Sequence, residues 1–146
     1  MLAVEVLIMQ GELPPACPWR RDGAGALVVF DGVVRPTEND QAIAGLSYEA
    51  YQPLTSQMLD ELGRSIVAAH GLIALRAEHS VGFVANHGVS FRLYIASAHR
   101  KEALAAMDQF IDQMKAKVPL WKVPQKTTPS PADAALQTTT NPASHA

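Results

Sequence analysis

The stretch Ser80–Ser97, SVGFVANHGVSFRLYIAS, decides the fold class of this chain. Near its centre, Asn86-His87-Gly88 is typical of a tight turn between two strands. After the turn, Phe91, Leu93 and Ile95 occupy alternate positions and therefore share one face of the second strand. The stretch predicts a β-hairpin.

Helical patterns flank this hairpin on both sides. Before it, apolar residues recur every four positions and run to Gly71, a favourable C-terminal stop. After it, apolar residues recur at steps of three and four until Pro119, whose ring cannot continue a helix. The two stripes are Leu54, Met58, Leu62 and Ile66, and Leu104, Met107, Ile111, Met114 and Val118. A hairpin between helices breaks a regular βαβ alternation, so we expect an α+β fold with a largely antiparallel sheet and two main helices.

Weaker patterns complete the expected order of elements. The apolar run Ala26–Phe30 predicts a buried strand that continues to Arg35 and stops at Pro36. The remaining predictions are strands over 4–9, 46–51 and 72–79 and loops over 11–25 and 37–40.

Size, charge and cysteine content exclude several classes of protein. Residues 1–126 are long enough for one domain with its own core, whereas residues 127–146, rich in Thr, Pro, Ala and Ser, predict a disordered low-complexity tail. The net charge of −2 argues against charge-driven nucleic-acid binding, and the lone Cys17 excludes an internal disulfide. No signal-like or membrane-spanning stretch is visible, so we expect a cytoplasmic protein without membrane contact.

Basic residues cluster at the expected start of the second helix. If Ser97 is the N-cap, then His99, Arg100 and Lys101 lie in the first turn, where positive charge opposes the helix dipole and anions are favoured. The cluster therefore suits a phosphate. A solvated cluster compensated by Glu102 explains it equally well.

Two lysines stand near the expected end of the same helix. Lys115 borders the buried stripe, and Lys122 follows Trp121, whose ring could partly desolvate it. Desolvation or a neighbouring cation makes a lysine amine a usable nucleophile or acid/base. The alternative is that both lysines extend into water, as most lysines do.

Arg35 ends the Ala26 strand and can reach a phosphate with its planar guanidinium, although pairing with Glu38 or Glu49 is as good an explanation. Dinucleotide, phosphate-loop and serine-hydrolase motifs are missing, and the histidines show no metal-ligand spacing.

Together these segments resemble the MoaE family, the large subunit of molybdopterin synthase. The similarity runs from Gly25 to Lys122 and rests on four segments in the same order. They are GALVVFDGVVR from Gly25 to Arg35, LSYEAY from Leu46 to Tyr51, SAHR from Ser97 to Arg100, and the block from Lys115 to Lys122.

The resemblance implies a fold with an α/β-hammerhead portion and a homodimer of large subunits within a heterotetramer. It implies, as partner, a small ubiquitin-like sulfur carrier with a C-terminal Gly-Gly thiocarboxylate. The substrate would be cyclic pyranopterin monophosphate, converted to the molybdopterin dithiolene by this sulfurtransferase without metal or organic cofactor.

The resemblance also implies roles for six residues. Lys115 and Lys122 match the catalytic lysines, whereas Phe30, Arg35, His99 and Arg100 match the substrate pocket. Two other readings stay open: a non-catalytic carrier-binding module of the same fold with impaired turnover, and a phosphoester-binding enzyme that recruits no carrier.

Overall fold

The computed structural model describes residues 2–127. In chain order the elements are β1 (Val4–Gln10), β2 (Ala26–Val33), β3 (Thr37–Glu38), β4 (Gln41–Ala50), α1 (Leu54–His70), β5 (Ala74–Ala85), β6 (Val89–Ser97), α2 (Arg100–Lys117) and β7 (Leu120–Lys126). The tail predicted for residues 127–146 lies, from residue 128 onward, outside the described residues. Within the described range, neither helix is long and apolar enough to cross a membrane.

The strands form a seven-stranded sheet built around β5 and β6. Along the path β2-β6-β5-β4-β3 each neighbouring pair is antiparallel, and β7 adds to β4 in the same sense. Only the pairing of β1 with β5 is parallel among the described strands. The predicted α+β class, the hairpin turn at residues 86–88 and both helices are confirmed.

β5 changes partners at Gly82. Its residues 75–81 pair with β1, and its residues 82–85 pair with β4. Gly82 has a φ of 80°, in the left-handed region that favours glycine, and a Cβ there would lie 2.1 Å from Gln10 Nε2. Glycine therefore lets one strand serve both parts of the sheet.

The two helices cover one face of the sheet and form the main core. Helix α1 ends as predicted, because Gly71 adopts a left-handed conformation and donates its N–H to the Val67 carbonyl. Burial of apolar surface between helices and sheet provides the main stabilisation. The most deeply buried side chains of this core are Leu59, Ile66, Leu75, Leu93, Ile95, Ala103, Ala106 and Phe110.

The loop between β1 and β2 covers part of the opposite face. Trp19 packs there against Tyr94, with 5.4 Å between ring centroids. The buried Arg92 side chain donates to the Pro14 carbonyl at 2.6 Å and pairs with Asp31 at 2.6 Å and Glu78 at 3.4 Å. This paired, hydrogen-bonded arginine links the loop to β2, β5 and β6.

The prediction of a buried strand at Ala26–Phe30 is wrong for the isolated chain. Among the described strands β2 pairs only with β6, so it is an edge strand. Leu27 and Val29 are each 46% exposed, and Val33 is 50% exposed. Apolar composition alone does not distinguish a strand covered by its own chain from one that a partner covers.

Two local predictions also need correction, and one strand was not predicted. The N-cap of α2 is His99 rather than Ser97, which ends β6 and donates its hydroxyl to the His99 carbonyl. The loop expected at residues 37–40 contains β3 and a two-residue turn at Asn39 and Asp40, both with positive φ. Strand β7 had no counterpart in the prediction.

Candidate active site

A cavity of about 580 Å³ opens beside the C-terminal end of α2. It lies where the sheet passes from its helix-covered part to the β4–β7 part. The principal side chains lining it are Phe30, Asp31, Arg35, Glu38, Leu46, Tyr48, His79, Ser90, Phe91, Ile111, Met114, Lys115, Leu120, Trp121 and Lys122.

Lys115 and Lys122 reach this cavity from two different elements. Lys115 lies in the last turn of α2, directly after the buried Met114. The helix then ends before Pro119, and the chain continues into β7, where Lys122 is in register with Tyr48 of β4. The reversal between α2 and β7 therefore brings two lysines seven positions apart to the same cavity.

The cationic side chains of the cavity differ in their pairing. Lys122 Nζ lies 3.2 Å from Glu38 Oε1, with the Lys122 side chain 53% exposed and that of Glu38 17% exposed. Arg35 lines the same cavity, and it forms no ion pair with Glu38, Glu49 or any other residue in the range 2–127. Its guanidinium is thus available to an anion from outside the described chain.

The inner wall is neutral, polar and aromatic. The Tyr48 hydroxyl donates to Ser90 Oγ at 2.9 Å. The His79 ring lies edge-on to Tyr48, with centroids 5.1 Å apart, and 5.8 Å from the Phe91 ring. Burial lowers the pKa of His79, against a smaller opposite effect from its hydrogen bond to the Ser80 carbonyl, so the imidazole is neutral near neutral pH.

Sequence reasoning missed Glu38, Tyr48, His79 and Ser90 as residues of the site. One signal was available for His79: in the strand predicted over 72–79 it shares a face with Leu75 and Ala77. A polar ring on an apolar face needs a partner or a function. Tyr48 reaches the cavity through long-range strand pairing with β5 and β7, for which the sequence gives no local signal. Glu38 reaches it from the short hairpin of β3 and β4, which falls in the segment predicted as a loop.

His99 and Arg100 do not line this cavity. His99 is the N-cap of α2 and Arg100 is its first residue, whereas Lys115 lies in its last turn. At about 1.5 Å of rise per residue, Arg100 and Lys115 are roughly 22 Å apart along the helix axis. The His99 side chain is 83% exposed, with Nδ1 3.8 Å from Glu102 Oε2. One chain alone therefore does not bring all six predicted residues together.

The cavity can bind a small anion that also carries a flat heterocycle. Arg35, Lys115 and Lys122 supply positive charge, and the aromatic wall supplies a stacking surface. Within residues 2–127, no three His, Cys, Asp or Glu side chains are grouped closely enough to hold a metal ion.

Comparison with known proteins gives one consistent family. Residues 13–117 match the sequence model of a family described as "MoaE protein". A molybdopterin synthase catalytic subunit from Aspergillus oryzae is 38% identical over 99 residues, which are 68% of this chain and 55% of the fungal protein. The chain spans about half the length of the first curated relatives it matches.

Solved structures give the same result. Molybdopterin synthase from Staphylococcus aureus superposes with a TM-score of 0.73 at 27% identity, covering 88% of this chain and 95% of that one. A complex of subunits 1 and 2 of molybdopterin-converting factor from Helicobacter pylori gives a TM-score of 0.65 at 28% identity, covering 82% and 83%. With the family match spanning most of the described residues, these similarities show that the chain belongs to the MoaE protein family.

Proposed function

We propose that this chain is the catalytic subunit of a cytoplasmic molybdopterin synthase, a sulfurtransferase. It would transfer sulfur from the C-terminal thiocarboxylate of a small ubiquitin-like carrier protein to cyclic pyranopterin monophosphate, forming the dithiolene of molybdopterin. The observation that carries the proposal is the convergence of Lys115, Lys122 and Arg35 on one cavity, beside an aromatic wall that suits a pterin.

The charges of the cavity match those of the two reactants. Cyclic pyranopterin monophosphate carries a phosphate, for which the unpaired guanidinium of Arg35 is a suitable ligand. The Phe30 ring is 38% exposed and 6.2 Å from Phe91, so it offers a face for the heterocycle. A thiocarboxylate is also an anion, which a lysine attracts.

Lys122 and Lys115 would have different roles. In this proposal Lys122 approaches the thiocarboxylate carbon and either stabilises negative charge there or traps the acyl group. Its pairing with Glu38 supports this role, because the carboxylate holds the flexible side chain against the cavity. Lys115, on the rigid end of α2, would position substrate and carrier tail or shuttle protons.

A second copy of the chain would complete the substrate site. His99 and Arg100 are exposed at the far end of α2, so a role for them in the same substrate pocket requires a partner subunit. The edge strand β2 supports a homodimer, because it leaves Leu27, Val29 and Val33 about half exposed. The carrier proteins would add to this pair, giving a heterotetramer.

Reconstitution tests the proposed function directly. The chain is mixed with thiocarboxylated carrier and cyclic pyranopterin monophosphate, and dithiolene product is measured. We expect turnover with the wild-type chain and a loss of at least about tenfold in Lys115→Ala and in Lys122→Ala, since charge stabilisation of this kind contributes several kcal/mol.

Lys117→Ala is the matched control. Lys117 lies two residues from Lys115 on the same helix but borders a separate groove between α1 and α2. Its replacement should leave turnover within about twofold, as expected for a surface substitution. Carrier binding without any product from the wild-type chain would instead indicate a non-catalytic binding module.

A further inference from the structure

The cavity wall contains one buried imidazole to which the proposed mechanism assigns no role. His79 is 6% exposed and lies on β5, in register with Phe91 of β6. Its Nδ1 is 2.7 Å from the Ser80 carbonyl oxygen. The rings of Tyr48 and Phe91 pack against it, so the imidazole has little freedom to rotate.

These contacts fix the tautomer of the ring. A carbonyl oxygen can only accept a hydrogen bond, so the proton must be on Nδ1. In the neutral ring, Nε2 then carries a lone pair and acts as an acceptor. Nε2 has no hydrogen-bond partner in residues 2–127, and it is not among their fully buried unpartnered atoms. It therefore keeps contact with the open space of the cavity that His79 lines.

The other acceptor side chains of the cavity each already contact a cation or a hydroxyl. The Glu38 carboxylate pairs with Lys122, and the Asp31 carboxylate pairs with Arg92. Tyr48 and Ser90 bond to each other. Lysine and arginine side chains only donate. Among the neutral side-chain acceptors that line the cavity, His79 Nε2 alone has no hydrogen-bond partner in residues 2–127.

The heterocyclic end of a reduced pterin needs hydrogen-bond acceptors, because its ring N–H groups and exocyclic amine are donors. A donor that is covered on binding and finds no acceptor loses its hydrogen bond to water. We propose that His79 is a substrate-binding residue whose Nε2 accepts a hydrogen bond from an N–H group of the heterocycle and so fixes its orientation in the cavity. This inference rests on the proposed function for the identity of the substrate.

Two substitutions distinguish the effect of losing the Nε2 acceptor from the effect of losing the packing of the ring. In His79→Asn the amide can still donate to the Ser80 carbonyl, but no atom replaces Nε2. In His79→Gln the longer side chain can bring a carbonyl oxygen near the former position of Nε2. We expect KM for cyclic pyranopterin monophosphate to rise about tenfold in the Asn variant, the usual effect of one lost hydrogen bond.

Other kinetic constants should change little. We expect KM for the carrier to stay within about twofold in the Asn variant, and the Gln variant to recover substrate KM to within about threefold of wild type. A purely structural role would lower stability and affect both KM values and kcat together. An unchanged substrate KM in a folded, active Asn variant would overturn the proposal.

A measurement on the wild-type chain covers the case in which either variant fails to fold. Side-chain ¹⁵N resonances of His79 are followed while cyclic pyranopterin monophosphate is added without carrier, so that no turnover occurs. A change in the Nε2 resonance characteristic of hydrogen bonding, with Nδ1 still protonated, supports the proposal, whereas an unmoved Nε2 resonance at saturation overturns it. Because reconstitution separately tests dithiolene formation, failure of the proposed function and failure of the His79 assignment give different results.

Discussion

Lys122 shows how a single side chain can be oriented without being desolvated. Its ammonium is half exposed and lies 3.2 Å from Glu38, so water screens most of the attraction between them. The pair contributes little stability but keeps the side chain beside the cavity. If Lys122 traps the acyl group, desolvation of its amine would have to come from the bound pterin and the carrier tail, whereas its ammonium can stabilise negative charge as it stands.

His79 should make the stability of the chain depend on pH. Burial lowers its pKa in the folded state, whereas in the unfolded chain the ordinary value of about 6.5 applies. Between the two pKa values the His79 side chain is protonated in the unfolded state but not in the folded state. Its contribution to stability is therefore full above about pH 6.5 and falls as the pH drops toward the folded-state pKa. The slope is at most about 1.4 kcal/mol per pH unit.

Urea unfolding of wild type and His79→Asn from about pH 7.5 to about pH 5.5 measures this effect. The other histidines are common to both proteins, so the difference between the two curves isolates His79. Tyr48, Lys115, Lys122 and Glu38 border the same cavity and are also unchanged. The wild-type curve should fall more steeply below about pH 6.5; parallel curves would contradict the expectation.

At the scale of elements, the sequence predicts what local periodicity encodes. Both helices and the hairpin were predictable because apolar residues repeat at helical or strand spacing and Gly71 and Pro119 mark helix ends. β7 was not, since LWKVPQK shows no clean alternation and contains Pro124. It exists because an edge strand tolerates a proline and pairs with the distant β4.

The same limit applies to the candidate site. Phe30, Arg35, Lys115 and Lys122 were identified from motifs, and they line one cavity. Tyr48, His79 and Ser90 reach the cavity through the pairing register of β4, β5 and β6, which a single sequence does not specify. The exposure of β2 follows from its place at the edge of the sheet, which a run of apolar residues does not encode.

Close approach of β4 and β5 should make Gly45 intolerant of any side chain. A Cβ at Gly45 would lie 2.3 Å from the Val84 carbonyl oxygen, so the backbone of one strand would have to move. We expect Gly45→Ala to lower the free energy of unfolding by about 2–3 kcal/mol, the upper part of the range for overpacking. It should also reduce turnover, because Leu46 and Tyr48 would shift with the strand. Urea unfolding and the dithiolene assay measure the two effects.

Gly32→Ala in β2 is the control for this substitution. There the nearest atom to a new Cβ is Phe91 Cβ at 3.3 Å, a tight contact that a shift of a few tenths of an ångström relieves. The loss of unfolding free energy in Gly32→Ala should be smaller than that in Gly45→Ala by about 1 kcal/mol or more. Equal losses in both variants would mean that the close approach to the Val84 carbonyl is not what constrains Gly45.

At the scale of the whole molecule, positive charge is divided between the two ends of α2. Lys115 borders the cavity, whereas Arg100 and His99 stand roughly 22 Å away along the helix axis. A net charge of −2 hides this division. If all these groups act on one phosphorylated substrate, the functional unit is a pair of chains that contribute opposite ends of α2 to each shared site.

Mixing two inactive variants tests this arrangement. Arg100→Ala and Lys115→Ala chains, each expected to lose at least about tenfold in turnover, carry different affinity tags and are co-expressed. Mixed dimers are then isolated by both tags in turn. In a shared-site dimer, one site receives both substitutions and the other receives none, so the mixed dimer should recover about half of the wild-type activity.

Lys115→Ala mixed with Lys122→Ala is the control, because both lysines come from the same chain at each site and every site would carry one defect. Recovery in the first mixture alone supports the shared site; no recovery in either, with mixed dimers isolated, would mean that Arg100 acts within its own chain or not at the substrate.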